Sequence, residues 1–163
     1  TAKKQVNLSL RNYLKNITIL KDSVLQTALE NELVSINNVL LVFEKMKEEA
    51  LQIACKQEST DLLDMLLSKD KTLANFRMID GAYILHYAFQ NCVSADIIQT
   101  LVFYGAVCEA EDLQGRNILH YGALNPSEDV WNAFRNNHAF SKFLTRQDDS
   151  GKLPEEVRKE IVD

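Results

Sequence analysis

The chain has 163 residues, 46% hydrophobic and 25% charged, a size and balance that fit one folded domain or a short tandem array and exclude a disordered tail. Five glycines and two prolines fall far short of the usual combined share of about 12%, which argues against a turn-rich β-sandwich and for helices. A formal charge of −5 at pH 7 disfavours a general phosphate-binding surface, since nucleic-acid binders carry a basic patch or stripe, and it disfavours acidic partners as well.

The chain opens on Thr1-Ala2-Lys3-Lys4, with neither an initiator methionine nor the apolar core of a signal peptide, and so reads as a segment of a longer protein. Residues 1–45 are expected to form an N-terminal helical segment. Val6, Leu10, Tyr13 or Leu14, and Ile17 recur at three- and four-residue steps, on one side of a helix. Ser23-Val-Leu-Gln26 has the form of a capping box and would start a second helix that turns Val24, Ala28, Leu29 and Leu33 inward and ends near Asn37-Asn38. The purest apolar run, Val39 to Phe43, has five residues against the roughly 20 needed to span a bilayer, so no membrane span is expected. The segment reads as a cap over the apolar face of the residues after it, as a dimerisation or partner helix, or as a piece of a neighbouring domain.

Beyond residue 45 the chain repeats. Gly81-Ala-Tyr-Ile-Leu-His-Tyr-Ala88 aligns with Gly115-Arg-Asn-Ile-Leu-His-Tyr-Gly122, His86 and His120 lie 34 residues apart, and one more step back from Leu85 reaches Leu51 in Leu51-Gln-Ile-Ala-Cys55. A period of roughly 20–50 residues marks stacked units, none of which buries its apolar face alone. Each unit reads as helix, turn, helix. In the first, Ser59 or Thr60 caps a helix with Leu62, Leu63, Leu66 and Leu67 as its stripe. In the second, Ser94 caps a helix that buries Ile97, Ile98, Leu101 and Val102, and Gly105 ends it in the left-handed conformation. In the third, Ser127 precedes Val130, Trp131 and Phe134.

These residues resemble ankyrin repeats, whose signature is Thr-Pro-Leu-His-x-Ala on a repeat of about 33 residues. Ile84 to Ala88 and Ile118 to Gly122 occupy the place of that signature; Tyr104-Gly-Ala106 is similar to the Gly-Ala that opens the connecting finger, and Asp112-Leu-Gln-Gly115 to the Asp-x-x-Gly at its end. Asp148-Asp-Ser-Gly-Lys-Leu-Pro154 looks like the start of a truncated terminal unit. The match has departures: Ile84 and Ile118 replace proline, Tyr83 and Asn117 replace threonine, and Gln52 stands where the first histidine would sit. Ser68-Lys-Asp-Lys-Thr72 replaces the first Gly-Ala, which implies a longer or irregular finger, and 136–143 is an insert that packs in its own way. The resemblance implies an all-α, ankyrin-type helix-turn-helix stack behind the N-terminal helical cap, with units at about 46–79, 80–111 and 112–147 and a terminal unit at 148–163.

Residues that carry chemistry are sparse. His86 and His120 come one per unit, without His-x-x-x-His, His-x-Glu or Cys-x-x-Cys spacing, so they are expected to hold neighbouring loops and no metal; His138 reads as a surface residue of the insert. Cys55, Cys92 and Cys108 are odd in number and widely spaced, as reduced thiols of the cytoplasm or nucleus are; the first two are expected to pack in the core and Cys108 to be exposed. Glu109, Glu111, Asp112, Asp148 and Asp149 fall at finger tips and are expected to be solvated, with no calcium loop. Phosphate-binding glycine loops and Gly-x-Ser-x-Gly are missing, so the sequence supports neither an enzyme nor a cofactor.

The function that the resemblance implies is non-catalytic protein–protein recognition by finger tips and the exposed ends of first helices. Those positions are Lys56 and Gln57, then Ala82, Gln90 and Asn91, then Gln114, Arg116, Leu124 and Asn125. Arg116 and Leu124 are the expected anchors, acting on binding without affecting stability. The alternatives are an intramolecular regulatory or spacer module of a larger multidomain protein, and homo-oligomerisation through the N-terminal helices.

Overall fold

The computed structural model of the protein describes residues 36–162; the helices expected between Val6 and Leu33 lie outside the described residues. Among those residues the chain is mostly helical, with no strand and one isolated bridge between Arg77 and Tyr83. No described helix is long and apolar enough to cross a membrane. The elements are α1 (Ile36–Lys56), α2 (Thr60–Lys69), a 3-10 helix (Lys71–Asn75), α3 (Ile84–Asn91), α4 (Ala95–Phe103), α5 (Ile118–Ala123), α6 (Glu128–Arg135), a 3-10 helix (His138–Phe140), α7 (Ser141–Leu144) and α8 (Pro154–Val162). The division between two compact units falls within α1, after Ala50. Asn37 and Asn38, expected to close a helix, lie inside α1. Asparagine costs a helix at most about 0.7 kcal/mol, and neither glycine nor proline is there to enforce a stop.

Serine hydroxyls start three of the later helices. Ser59 Oγ accepts the Leu62 N–H at 3.3 Å, Ser94 Oγ that of Asp96 at 3.1 Å, and Ser127 Oγ that of Val130 at 3.4 Å; a cap of this kind is worth about 0.5–2 kcal/mol over alanine. Acids in the first turns, Asp61 of α2, Asp96 of α4, and Glu128 and Asp129 of α6, face the positive ends of the helix dipoles. The expected stripes are buried: Leu62, Leu63, Leu66 and Leu67; Ile97, Ile98 and Leu101; Val130, Trp131 and Phe134. Val102 departs from its stripe and stands 42% exposed, because each helical residue advances about 100° and the step from Leu101 carries it off the inner face.

Packing within 51–162 follows the order of the chain. α3 lies against α5 and α5 against α8, while α2 lies against α4, and each of α3 and α5 also packs on the next helix along the chain. Phe89 of α3 and Phe134 of α6 bring their rings to 4.6 Å. The insert packs through Phe143 of α7, which is fully buried and whose carbonyl accepts Asn117 Nδ2 at 3.0 Å. The first connection is irregular, as expected: Asp70 caps the 3-10 helix Lys71–Asn75 by accepting the Thr72 N–H.

One turn occurs three times, at 78–82, 112–116 and 148–152. In each, the first N–H donates to the fifth carbonyl (2.7, 3.1 and 2.9 Å) and the fourth N–H to the first carbonyl (2.9, 3.2 and 2.9 Å). The fourth residue is glycine with φ of +88°, +69° and +82°, a region that side chains disfavour. Oδ1 of Asp112 accepts the N–H groups of Gln114 and Arg116, and Oδ1 of Asp148 those of Ser150 and Lys152, all at 2.9 Å. Met78 has no carboxylate, and Asp80 takes the Ala82 N–H instead, at 3.0 Å. The first two turns begin 34 residues apart and the last two 36, the difference being taken up where the insert forms its two short helices. Successive turns touch. Leu113 covers Gly81, and Asp149 covers Gly115 while donating its N–H to the Gln114 carbonyl at 2.9 Å.

Gly105 and Gly115 separate two costs. At Gly105, with φ +99° and open space around it, alanine meets only the left-handed penalty, so Gly105→Ala should lose about 1–2 kcal/mol. At Gly115 a new Cβ would also lie 2.6 Å from Asp149 Oδ1, so Gly115→Ala should lose more. Urea unfolding of both variants checks the order; equal losses would mean that the turns do not press on one another.

Candidate interaction surface

The helices after the three turns start by one device. Nδ1 of His86 accepts the Tyr83 N–H at 3.0 Å, Nδ1 of His120 accepts the Asn117 N–H at 3.1 Å, and Glu156 Oε2 takes the Leu153 N–H at 2.7 Å. With Nδ1 accepting, the ring proton of each imidazole belongs on Nε2. His86 Nε2 then donates to the Ala110 carbonyl at 3.0 Å, and His120 Nε2 to that of Lys152 at 2.9 Å. His86 therefore ties its helix start to the residues just before the second turn, and His120 ties its own to the third turn. Gln52, in the place of a first histidine, lies inside α1 and points Nε2 at Met78 Sδ, 3.4 Å away. Among the described residues no three His, Cys, Asp or Glu side chains converge as a metal would need. His138 is exposed in the insert.

The opposite helix ends are joined by a second ladder. The last carbonyls of a helix lack partners within it. Cys92 Sγ donates to the Cys55 carbonyl at 3.4 Å, and Asn125 Nδ2 donates to the carbonyls of Phe89 and Cys92, both at 3.0 Å. Arg158 Nη1 donates to the carbonyls of Ala123, at 3.1 Å, and Asn125. Glu58, at φ +50°, accepts the N–H groups of Val93 and Ser94. Cys55 and Cys92 are buried as expected. Hydrogen bonding with Cys92, together with burial, pushes the Cys55 thiol far up and keeps it protonated.

Asp112 corrects the expectation of a solvated finger tip. It is only 7% exposed; its Oδ2 accepts Arg116 Nε at 2.7 Å and the Tyr121 hydroxyl at 2.6 Å. Arg116 Nη2 also donates to Tyr121 Oη at 2.9 Å, and the Tyr121 ring stacks on His86 with centroids 4.7 Å apart. Burial opposes the charged carboxylate, but hydrogen bonds from Tyr121 and Arg116 outweigh it and hold the Asp112 carboxyl below its ordinary range. Arg116 is thus not a free anchor, since its removal takes the cation from a buried carboxylate.

Of the other contact candidates, Lys56, Asn91 and Gln114 are exposed, and Gln57, Gln90 and Leu124 are half-buried. Ala82 and Asn125 are corrected: at 0% and 2% exposure they offer no surface. Ala82 supplies the closing carbonyl of the first turn, and Asn125 commits its amide to the carbonyl ladder. The sequence reading missed a groove of about 740 Å³ between α4, residues 106–109 and residues 139–143. Ile98, Phe140 and Phe143 line it beside Val102, Phe103 and Val107, which are 42%, 82% and 50% exposed. Cys108, expected to be an exposed thiol, is half-buried in its wall. A signal for the groove was available, because Leu101-Val102-Phe103 extends the apolar surface of α4 past the stripe that one buried face needs.

His120→Ala leaves the Asn117 N–H without its partner and takes one of two donors from the Lys152 carbonyl, and should cost about 1–3 kcal/mol in denaturant unfolding. Burial pushes the His86 pKa down against a smaller upward pull from its bond to Ala110. A histidine whose folded pKa is lowered takes up its proton more readily when unfolded, so its contribution is full above the unfolded value of about 6.5 and fades as pH falls below it. The drop in melting temperature between pH 7.5 and pH 5.5 should therefore be smaller in His86→Gln than in the parent; identical drops would refute that origin. No family model matches the chain, and no curated protein matches it.

Proposed function

We propose that residues 46–163 are ankyrin-type repeats and that the protein is a non-catalytic module for protein–protein recognition. The observation that carries this reading is the threefold turn, succeeded each time by a helix whose third residue accepts the N–H just before the helix. Its support is physical. Both ladders commit His86, His120, Asn125 and Arg158 to backbone groups, so the distinctive polar side chains build the stack, and the exposed positions between them are left for a partner. Stacked helix pairs of this kind present an extended recognition surface. Lys56, Asn91 and Gln114, with half-buried Gln57, Gln90 and Leu124 beside them, form an amide-rich set, and Leu113, 62% exposed, adds an apolar tip. Such a set binds through hydrogen bonds around a few anchors.

The test compares the parent chain with Asn91→Glu plus Gln114→Glu, both exposed, by cross-linking in an extract of the source cells and then mass spectrometry. A partner captured by the parent should be lost from the double variant while it remains folded at the assay temperature, with some loss of melting temperature from the bond between Asn91 Nδ2 and the Tyr87 carbonyl. Equal capture by both would overturn the assignment to these positions. A dimer of the parent alone in light scattering would favour homo-oligomerisation. Arg116→Ala, in contrast, should lower the melting temperature along with any binding, through the loss of the cation paired with buried Asp112.

A further inference from the structure

The apolar groove beside α4 continues into a hollow of about 390 Å³ lined by Asp64, Asp96, Gln99, Thr100, Phe103 and Tyr104. Gln99 and Phe103 line both, so the site has an apolar half and an acidic half with the Phe103 ring between them. At 82% exposure Phe103 contributes little to the core; a large side chain left in water beside Val102 and Val107 marks a surface that a partner covers. The volume of the apolar half suits one or two large side chains, since pockets for compact ligands run from roughly 300 to 1,000 Å³. On the acidic side, Asp64 accepts the Tyr104 hydroxyl, and among the described residues neither Asp64 nor Asp96 is ion-paired with a cation. An ion pair at the rim, Lys142 with Glu109, lies among the apolar half's residues and neutralises itself.

We propose that this groove binds a basic amphipathic helix of a partner protein, with a large apolar side chain seated against Phe103 and Val107 and a lysine or arginine one turn away meeting Asp64 and Asp96. Helical spacing delivers that pair of side chains, because residues three and four apart share a face. The net charge of −5 steers a basic segment toward the chain and opposes a second copy, which would bring the same acids to the contact. The groove is lined by α4, residues 106–109 and residues 139–143 and by none of the contact candidates at the turn tips and helix ends, so this inference stands whether or not those candidates bind a partner.

The probe is a fluorescein-labelled helical peptide of leucine and lysine with its leucines on one face, titrated with the full chain and read by fluorescence anisotropy. Binding should weaken about tenfold or more in Phe103→Ala and in Val107→Asp, both exposed positions at which the melting temperature should hold. Asp64→Asn plus Asp96→Asn should weaken it severalfold and flatten its dependence on salt. Asp129→Asn, an exposed acid of α6 outside the groove, should bind as the parent does, and a leucine–glutamate peptide of the same pattern should not bind. The proposal fails if Phe103→Ala and Val107→Asp bind like the parent, if Asp129→Asn weakens binding as much as the groove acids do, or if the glutamate peptide binds equally well. It fails also if the chain is a dimer that Phe103→Ala dissociates, because a second copy would then be the occupant.

Discussion

Short helices leave much of their backbone unpaired, and that constraint organises the whole of 51–162. A helix lacks internal partners for its first four N–H groups and last four carbonyls, and α3 and α5 have only eight and six residues. Almost every peptide in them is therefore terminal. A buried amide without a partner costs about 1–3 kcal/mol, so helices this short persist only where side chains close both ends. The imidazoles and Glu156 serve the starts; Cys92, Asn125 and Arg158 serve the finishes. Packing against the next helix then adds apolar burial to a backbone that is already satisfied.

The Asp112 cluster shows how the same logic reaches side chains. A carboxylate that caps a turn at a buried position needs further donors, and Arg116 and Tyr121 supply them. Tyr121 also stacks on His86, so the second turn, the start of α3 and the body of α5 share one set of contacts. A polar group here serves order more than recognition, and polar character alone is a poor guide to what a partner touches.

Much of this was legible in the sequence. The period of 34, the serine caps, the leucine and isoleucine stripes and the left-handed Gly105 are local features, and each lies where the spacing puts it. The histidines were legible as structural because they recur with the turns. What escaped was decided by neighbours distant in the chain. Gln57, Asn91 and Asn125 are equivalent by the period, yet only Asn125 is buried, because it alone reaches the carbonyls of Phe89 and Cys92. Ala82 and Arg116 are equivalent too, and one is buried while the other closes an ion pair. The groove escaped because its far wall comes from the insert, the one part of the chain without a repeat to read.

The two ladders have a direction. At one end of each short helix an imidazole waits for a carbonyl from later in the chain, and at the other the helix's own carbonyls wait for a later amide, thiol or guanidinium. During synthesis a ribosome releases every helix pair before the residues that finish it, and each newly made piece becomes complete only as its successor emerges.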